Sequence, residues 1–443
     1  MKNHNKINII TLGCAKNLVD SEVLMRQLDA SGFDIIHNSD DSDARTVIIN
    51  TCGFINDAKQ ESIDTILKYV RAKNNDHIKY IYVIGCLSER YKKELPGEIP
   101  EVDGWFGVND FKRIIRELGG NYKEELFGER LLATPSHYAY LKISEGCDRL
   151  CSFCAIPLIR GKQKSRSIKD LISETRYLAA KEVKELILIA QDLTAYGTDI
   201  DEKQALPELL AELTEIKGIE WIRLHYAYPA NFPLKVLELI AGKKVICKYL
   251  DIPFQHISDK VLDRMHRSVS RSELLELIHR IREMVPGIAI RTTLLVGHPG
   301  EGEKEFKELM DFVKDQQFER LGVFTYSEEQ GTFASKHYKD IIPERIKQKR
   351  LEEIMELQRN ISLNINNKKI GNIFKVLIDS REGDFAVGRT EFDSPEVDNE
   401  VLVKDPEEKL EPGRFYKIKI TGAENYDLSG EVYQAVRYPL IQL

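Results

Sequence analysis

The chain lacks three features that would place it in a simple class. It has no run of the roughly 20 apolar residues that a membrane-spanning helix requires, and its apolar N-terminal run is too short for a signal peptide. It also has no excess of positive charge, since 64 Lys and Arg face 71 Asp and Glu for a net charge of -7. This balance does not favour a general nucleic-acid binder. We therefore expect a cytoplasmic protein without membrane attachment.

Cysteine is scarce, with 7 residues in 443. An odd number in a chain of this length argues against a disulfide framework. Three of the seven, Cys147, Cys151 and Cys154, nevertheless lie close together with the spacing C-x3-C-x2-C. In a reducing compartment such clustered thiols more often bind metal or do chemistry.

Three thiols at this spacing are compatible with more than one kind of site. A zinc site needs a fourth ligand, and the nearest downstream histidine, His225, lies on a different predicted unit. A redox dithiol would leave one cysteine unexplained. A [4Fe–4S] cluster normally takes four thiolates, so three would leave one iron open, as catalytic metal centres require. The pattern favours an iron–sulfur cluster and leaves zinc and redox thiols as alternatives.

The first 130 residues alternate strand and helix patterns, which is typical of a parallel α/β sheet. Each of three β-rich runs, INIITLGC, RTVIINTC and KYIYVIGC, ends in a cysteine, namely Cys14, Cys52 and Cys86. Because ligands collect at the carboxyl ends of parallel strands, we predict that these thiols meet at one edge. The alternative is three unrelated buried cysteines, since free Cys is common in cores.

The rest of the chain divides in two. Six further β-rich runs, from YAYLKISEGC to RLGVFTYS, alternate with helices and predict a full or partial βα (TIM-like) barrel. Five short strands with Gly, Pro and Asp turns then predict a small antiparallel β-barrel. We therefore expect an α/β chain with three domains, 1–130, 135–365 and 366–443.

The cysteine motif at the start of a βα barrel resembles that of the radical S-adenosylmethionine (SAM) superfamily. The likeness covers essentially the whole chain and is strongest with the methylthiotransferases. Their motifs are matched by TLGCAKNLVDSE, NTCGFI, YLKISEGCDRLCSFCAIPLIRGKQKSR, DIPFQH, TLLVGHPGE and YSEEQGTFA. The terminal β-barrel resembles the TRAM domain, which is the substrate-binding module of that family.

The resemblance implies two [4Fe–4S] clusters, each with one open iron, and SAM. The open iron of the catalytic cluster would bind SAM, whose cleavage supplies the radical that takes a hydrogen atom from the substrate. The second cluster would supply the sulfur, and a second SAM the methyl group. The implied ligands are Cys147, Cys151 and Cys154 for the catalytic cluster and Cys14, Cys52 and Cys86 for the second.

Candidate SAM contacts lie where the barrel strands end. The side chain before the last motif cysteine could meet the adenine, and an arginine could pair with the SAM carboxylate. We expect His256 to be a hydrogen-bonded pocket residue rather than an iron ligand, and Cys247 to belong to the core. The predicted cofactor-binding residues are Phe153, Gln191, Asp192, Gln255 and Arg291.

Two branches of the family differ around the first cysteine. The tRNA branch typically reads GCQMN-x-x-DSE, whereas this chain reads GCAKNLVDSE. It is closer to GCPKNLVDSE, the form of the branch that methylthiolates the β-carbon of an aspartate of ribosomal protein S-12. Ala15 replaces the usual proline and is not a ligand. Residues 371–443 hold nine Lys and Arg against fifteen Asp and Glu, which suits a basic protein partner better than tRNA.

The expected partners are therefore ribosomal protein S-12, free or in the small ribosomal subunit, and an electron donor such as flavodoxin or ferredoxin. Exposed acids of the β-barrel, for example Glu396, Asp398 and Glu400, are expected to form its docking face. Nucleic acid is not expected to be the modified substrate. The alternatives are a tRNA adenosine methylthiotransferase and a non-catalytic iron–sulfur RNA-binding or assembly factor.

Overall fold

The structure is a computed structural model that describes residues 5–40, 43–126, 128–201 and 203–433. The first four residues of the predicted domain 1–130 and the last ten of the predicted domain 366–443 lie outside the described residues. The latter include residues 434–437 of the last predicted strand. Within the described ranges, no helix has the length and apolar character needed to cross a membrane.

The N-terminal sheet has five parallel strands in the order β2-β1-β3-β4-β5. All six residues of the central strand β3 are buried, because helices cover both faces of the sheet. The parallel α/β prediction is confirmed, although the short edge strands β2 and β5 were missed. The elements are β1 (Lys6–Thr11), α1 (Ala15–Ala30), β2 (Asp34–His37), β3 (Thr46–Thr51), α2 (Asn56–Asn74), β4 (Tyr80–Gly85), α3 (Cys86–Arg90), α4 (Leu95–Glu98), β5 (Gly104–Trp105) and α5 (Phe111–Glu117).

The central sheet has six parallel strands in the order β13-β12-β11-β10-β9-β6, and its two edge strands do not pair with each other. This confirms a partial βα barrel. A small antiparallel pair, β7 with β8, closes the cysteine loop at its base. The strands are β6 (Tyr138–Lys142), β7 (Ser144–Glu145), β8 (Lys164–Ser165), β9 (Glu185–Ile189), β10 (Trp221–Leu224), β11 (Ile246–Asp251), β12 (Ala289–Val296) and β13 (Arg320–Thr325).

Most helices of this region pack on the outer face of the sheet around one large apolar cluster. The last of them, α15, is the longest and leads from the central sheet into the C-terminal barrel. The helices are α6 (Ile156–Arg160), α7 (Ile168–Ala180), α8 (Thr198–Asp201), α9 (Leu206–Leu213), α10 (Lys235–Gly242), α11 (Asp259–Arg264), α12 (Arg271–Met284), α13 (Glu303–Gln316), α14 (Phe333–His337) and α15 (Glu344–Asn367).

The C-terminal strands form a closed five-stranded barrel in the order β14-β15-β16-β18-β17. The predicted small barrel is confirmed, with one difference: β16 and β18 pair in parallel, while the other strand pairs are antiparallel. The strands are β14 (Ile373–Glu382), β15 (Phe385–Thr390), β16 (Val401–Lys404), β17 (Phe415–Ala423) and β18 (Leu428–Val432).

The C-terminal barrel docks on the amino ends of the central strands through buried ion pairs. Glu185, the first residue of β9, binds both Arg223 of β10 at 2.7 Å and Arg389 of β15 at 2.8 Å. Arg320, the first residue of β13, pairs with Asp393. These side chains are almost completely buried, so removing one partner would leave an uncompensated charge inside the protein.

The expected acidic docking face loses one of its three named members in the structure. The Asp398 side chain is buried and accepts a 2.7 Å hydrogen bond from the Tyr249 hydroxyl. Glu396 and Glu400 are exposed, although Glu396 also accepts a hydrogen bond from the Tyr138 hydroxyl at 3.1 Å. The prediction was wrong for Asp398, because net charge does not report which acids are paired internally.

His225 at this interface should make stability depend on pH. Burial, followed by the cations Arg291 and Arg223, holds the pKa of His225 well below its usual range, and its Nε2 lies 2.9 Å from the Ser394 hydroxyl. Below about pH 6.5 the unfolded chain gains a proton that the folded chain does not, so stability falls by up to about 1.4 kcal/mol per pH unit. We expect the melting temperature to fall more between pH 7.5 and 5.5 for the wild type than for His225→Gln; equal falls would contradict this.

Candidate functional site

The three cysteines of the N-terminal sheet follow adjacent strands. Cys14 lies just after β1, Cys52 directly after β3 and Cys86 directly after β4. Glycines let the loops touch: a Cβ on Gly13 would lie 2.6 Å from the Cβ of Cys52, and one on Gly53 would lie 3.1 Å from the carbonyl carbon of Cys86. The carboxyl edge of the sheet thus brings the three predicted ligands together.

Asn17 ties these loops into one unit. Its side-chain amide donates to the carbonyl oxygens of Leu12 and Thr51, each at 3.0 Å. Its side-chain oxygen lies 3.5 Å from the sulfur of Cys86. Sequence reasoning missed Asn17, although it stands three residues after Cys14 in the quoted motif.

The three thiols of this set differ in the direction in which their surroundings shift the pKa. Burial raises the pKa of Cys86 to about 12, against the opposing effect of Arg160, and burial also raises the pKa of Cys52. Desolvation acts in the same direction on Cys14, but Lys16, Arg160 and nearby backbone N–H groups outweigh it and lower its pKa. Cys14 is also the exposed member of the set. Of the three thiols, Cys14 is therefore the one whose ionised form is most favoured.

The second set lies on the loop between β7 and β8, at the carboxyl edge of the central sheet. The backbone N–H of Cys147 donates to the carbonyl of Gly161 at 3.1 Å, which closes the loop. An Arg267 N–H donates to the sulfur of Cys151 at 3.5 Å. Burial raises the pKa of Cys147 to about 11 and that of Cys154 to about 12. The Cys151 thiol adds to the rise of both pKa values and the Cys147 thiol to that of Cys154, so the three thiols lie within electrostatic range of each other.

The two cysteine sets meet across the interface between the two sheets. Cys86 packs in one buried cluster with Ala155 and Ile159, and Ala155 directly follows Cys154. Arg160, at the end of α6, donates from Nε to the sulfur of Cys86 at 3.3 Å and from Nη2 to the side-chain oxygen of Asn17 at 2.5 Å. One short segment of the central region therefore carries a cysteine of one set and contacts a cysteine of the other.

Arg160 is held by carboxylates from both sides of this interface. It binds Asp20 of α1 at 3.1 Å and Glu145 of β7 at 2.9 Å. Lys142 at the end of β6 pairs with the same two carboxylates. The sequence motif contained Arg160, but only the tertiary structure shows that it joins the two sites.

A second contact ties the two regions together through Glu329, from the YSEEQGTFA segment. Glu329 is buried between Arg90 and Lys59 of the N-terminal region. Arg90 also donates to the carbonyl of Gly53 at 3.1 Å, beside Cys52. The separation of the two cysteine sets is thus set by ion pairs on both sides.

Three predicted SAM contacts lie near the second cysteine set. Phe153 packs partly buried, with its ring centroid 6.1 Å from that of His298. Gln191 donates to Glu145 at 2.6 Å, and its side-chain oxygen is buried without a partner. Asp192 accepts from Arg149 at 2.8 Å and caps the short 3-10 turn that follows β9. Gln191 retains an unpaired acceptor, whereas Asp192 is committed to holding the loop.

The other predicted contacts have different surroundings. Gln255 lies on a strained backbone with φ 70° and bridges to Leu294. The Arg291 guanidinium lies between Asp251 at 3.3 Å and Asp398 at 3.4 Å, so its pairing with the SAM carboxylate stays a prediction that this geometry does not favour. His256 is buried, and its Nδ1 accepts from the backbone N–H of Ser258 at 3.0 Å.

Arg267 was missed by sequence reasoning, since no motif marked it. It is buried, and its Nε has no partner among the described residues. It lies beside Cys151 and 4.3 Å from the ring centroid of Tyr228. A buried guanidinium without a carboxylate is suited to bind one. Cys247, by contrast, is packed in the core among Trp221 and Tyr249, as predicted.

The donor sets have the chemistry of cluster ligands. Each offers three free cysteine thiols on loops at the carboxyl edge of a sheet, and thiolates are the ligands that hold iron–sulfur clusters. In the described parts of the chain, no group of three or more His, Cys, Asp or Glu side chains is arranged to hold a single metal ion.

Comparisons with known proteins agree with this geometry. The uncharacterized protein family UPF0004 matches residues 6–107, the radical SAM superfamily residues 141–313 and the TRAM domain residues 370–432. Among solved structures, the radical SAM methyltransferase TsrM from Kitasatospora setae has a TM-score of 0.53 at 13% identity, covering 86% of this chain and 79% of that chain. At this identity, the similarity shows the fold alone.

Relatives match over nearly the whole length. The ribosomal protein uS12 methylthiotransferase RimO of Phocaeicola vulgatus is 54% identical, covering 97% of this chain and 99% of that protein. RimO of Cytophaga hutchinsonii is also 54% identical, covering 96% of this chain and 98% of that protein. The chain therefore belongs to the RimO family of radical SAM methylthiotransferases.

Proposed function

We propose that this chain methylthiolates the β-carbon of an aspartate of ribosomal protein uS12, using SAM and two [4Fe–4S] clusters. The observation that carries the proposal is that Cys86 lies in one buried cluster with Ala155, the residue after Cys154, and accepts a hydrogen bond from Arg160 of the same segment. It supports a reaction in which a carbon activated at one site receives sulfur at the other. The full-length similarity to RimO proteins supports the choice of substrate.

Cys147, Cys151 and Cys154 would hold the catalytic cluster, and Cys14, Cys52 and Cys86 the auxiliary one. Bound clusters supply electron transfer to SAM on one side and sulfur on the other, which no side chain can do. The chain itself binds and orients: Arg267 beside Cys151 is placed to receive the SAM carboxylate. The unpaired oxygen of Gln191 is an acceptor for another polar group of SAM.

The interface residues keep the reacting groups together and water out. Arg160, Asn17 and Cys86 are each buried at the junction of the two regions. A water-poor junction matters because a free radical attacks whatever it meets. We place the domain limits at 1–130, 135–365 and 366–443, the electron donor among flavodoxins or ferredoxins, and the protein in the cytoplasm with the ribosomes.

Mass spectrometry of uS12 tests the substrate. We expect uS12 from cells with this chain to carry a methylthio group in place of one hydrogen on an aspartate, and uS12 from cells without it to lack the group. Complementation with Cys247→Ala should restore the modification, whereas complementation with Cys151→Ala should not. Unmodified uS12 together with methylthio-adenosine in tRNA would overturn the proposal in favour of the tRNA branch.

A further inference from the structure

Lys16 is a buried cation without an anionic partner. Its exposed fraction is 8%, and within the described ranges no carboxylate lies at ion-pair distance from its Nζ. The other buried lysines and arginines there have a carboxylate partner, with the exception of Arg267. An unpaired buried charge is costly, so such a residue is suited to an anion that arrives with a ligand.

Local structure does not account for this lysine. Lys16 is the second residue of α1, where the helix dipole disfavours a cation. Asp20, one turn further along the helix, is occupied by Lys142 and Arg160. The contact that remains is with the ring of Tyr226, whose centroid lies 3.4 Å from Nζ. A cation–π contact is weaker than a buried ion pair and leaves room for a carboxylate.

The position of the ammonium is between the two cysteine sets. Lys16 stands two residues after Cys14 and, of the charged groups around that thiol, acts on it most strongly. Tyr226 follows β10 at the carboxyl edge of the central sheet, in a strained conformation with φ 63°. Two residues later, the Tyr228 hydroxyl donates to the backbone carbonyl of Arg267 at 2.6 Å, and an Arg267 N–H donates to the sulfur of Cys151 at 3.5 Å. Lys16 therefore faces the segment 226–228, which leads from the auxiliary cysteine set toward the cysteine set of the predicted catalytic cluster.

We propose that Lys16 binds the side-chain carboxylate of the target aspartate and so selects a carboxylate-bearing substrate. The inference rests on the proposed function. The new carbon–sulfur bond must form beside the auxiliary cysteines, and the carboxylate is attached to the same carbon that receives the sulfur. Its charged oxygens, two bonds from the reacting carbon, must therefore enter this buried region together with it. Among the described residues of the N-terminal region, the Lys16 ammonium is the buried cation without a carboxylate partner.

The test compares uS12 with a form in which the target aspartate is asparagine, using reconstituted full-length enzyme. We expect the wild type to prefer the aspartate form, and Lys16→Met to lower kcat/KM on that form by about 100-fold or more, since a buried charge then loses its partner. The same variant should treat the two forms alike. Lys16→Arg should retain the preference, because a guanidinium also binds carboxylates.

Two readouts separate this role from a structural one. Lys16→Met should keep the iron content of the wild type and its SAM cleavage without uS12. Lys68→Met is the matched control: it removes one positive charge from an exposed position of the same region and should change neither rate nor preference. Lys16→Gln serves as a second neutral variant if the methionine form does not fold.

Retention of the aspartate preference by a folded neutral variant would overturn the inference while leaving the proposed function intact. Loss of auxiliary iron in both neutral variants would also overturn it, because Lys16 would then serve the cluster. Failure of the wild type itself to modify uS12 would instead refute the proposed function, and with it this assignment.

Discussion

Replacing Cys151 by alanine is expected to abolish the release of 5′-deoxyadenosine from SAM and reductant. Cys151 is held in the loop between β7 and β8 and receives a hydrogen bond from Arg267 at 3.5 Å. Losing even an outer partner of a metal ligand costs about 10- to 100-fold in metal affinity or activity, so loss of the ligand itself should cost more than about 100-fold. The measurement is anaerobic SAM cleavage by reconstituted protein, followed by chromatography.

Iron content gives the same prediction a second readout. The wild type should carry about eight irons in two [4Fe–4S] clusters and Cys151→Ala about four. Cys247→Ala is the matched control, because that cysteine is buried in the core among Trp221 and Tyr249 and should change neither value. SAM cleavage that persists in Cys151→Ala would mean that this loop does not hold the catalytic cluster.

Replacing Cys14, Cys52 and Cys86 together by alanine should have an equally large effect, but on a different step. We expect this variant to lose about half of its iron and all methylthio transfer to uS12. SAM cleavage in the absence of uS12 should stay nearly unchanged, since the catalytic thiols lie on a separate loop. The measurements are iron content, 5′-deoxyadenosine and modified uS12 on one preparation.

The second prediction requires the interface between the two regions to stay intact in the triple variant. Cys86 packs against Ala155 and receives a hydrogen bond from Arg160, so a disturbed interface could reach the catalytic loop. Cys14→Ala alone provides the control for disturbance of the interface, because Cys14 is exposed and does not belong to that buried cluster. If the triple variant retained all of its iron, the second-cluster assignment would be refuted.

Much of the candidate site could be predicted from the sequence, because the positions of its predicted ligands depend on strand ends and on cysteine spacing, which are local features. β1, β3 and β4 each run into a cysteine, and parallel neighbours bring their carboxyl ends to one edge. The C-x3-C-x2-C spacing likewise places three thiols on one loop without any knowledge of distant residues. The short edge strands β2 and β5 escaped detection because four and two residues carry little periodic signal.

The tertiary structure alone decided which charges are paired. Arg291 looked available for SAM but is held by Asp251 and Asp398. Lys16, to which the sequence assigned no role, is buried and has no carboxylate partner among the described residues. The same holds for Arg160, whose partners come from both sides of the interface. The sequence determined where the predicted cluster ligands stand, because strand ends and loop spacing are local. It could not determine these pairings, because an ion pair depends on which distant segments fold against each other.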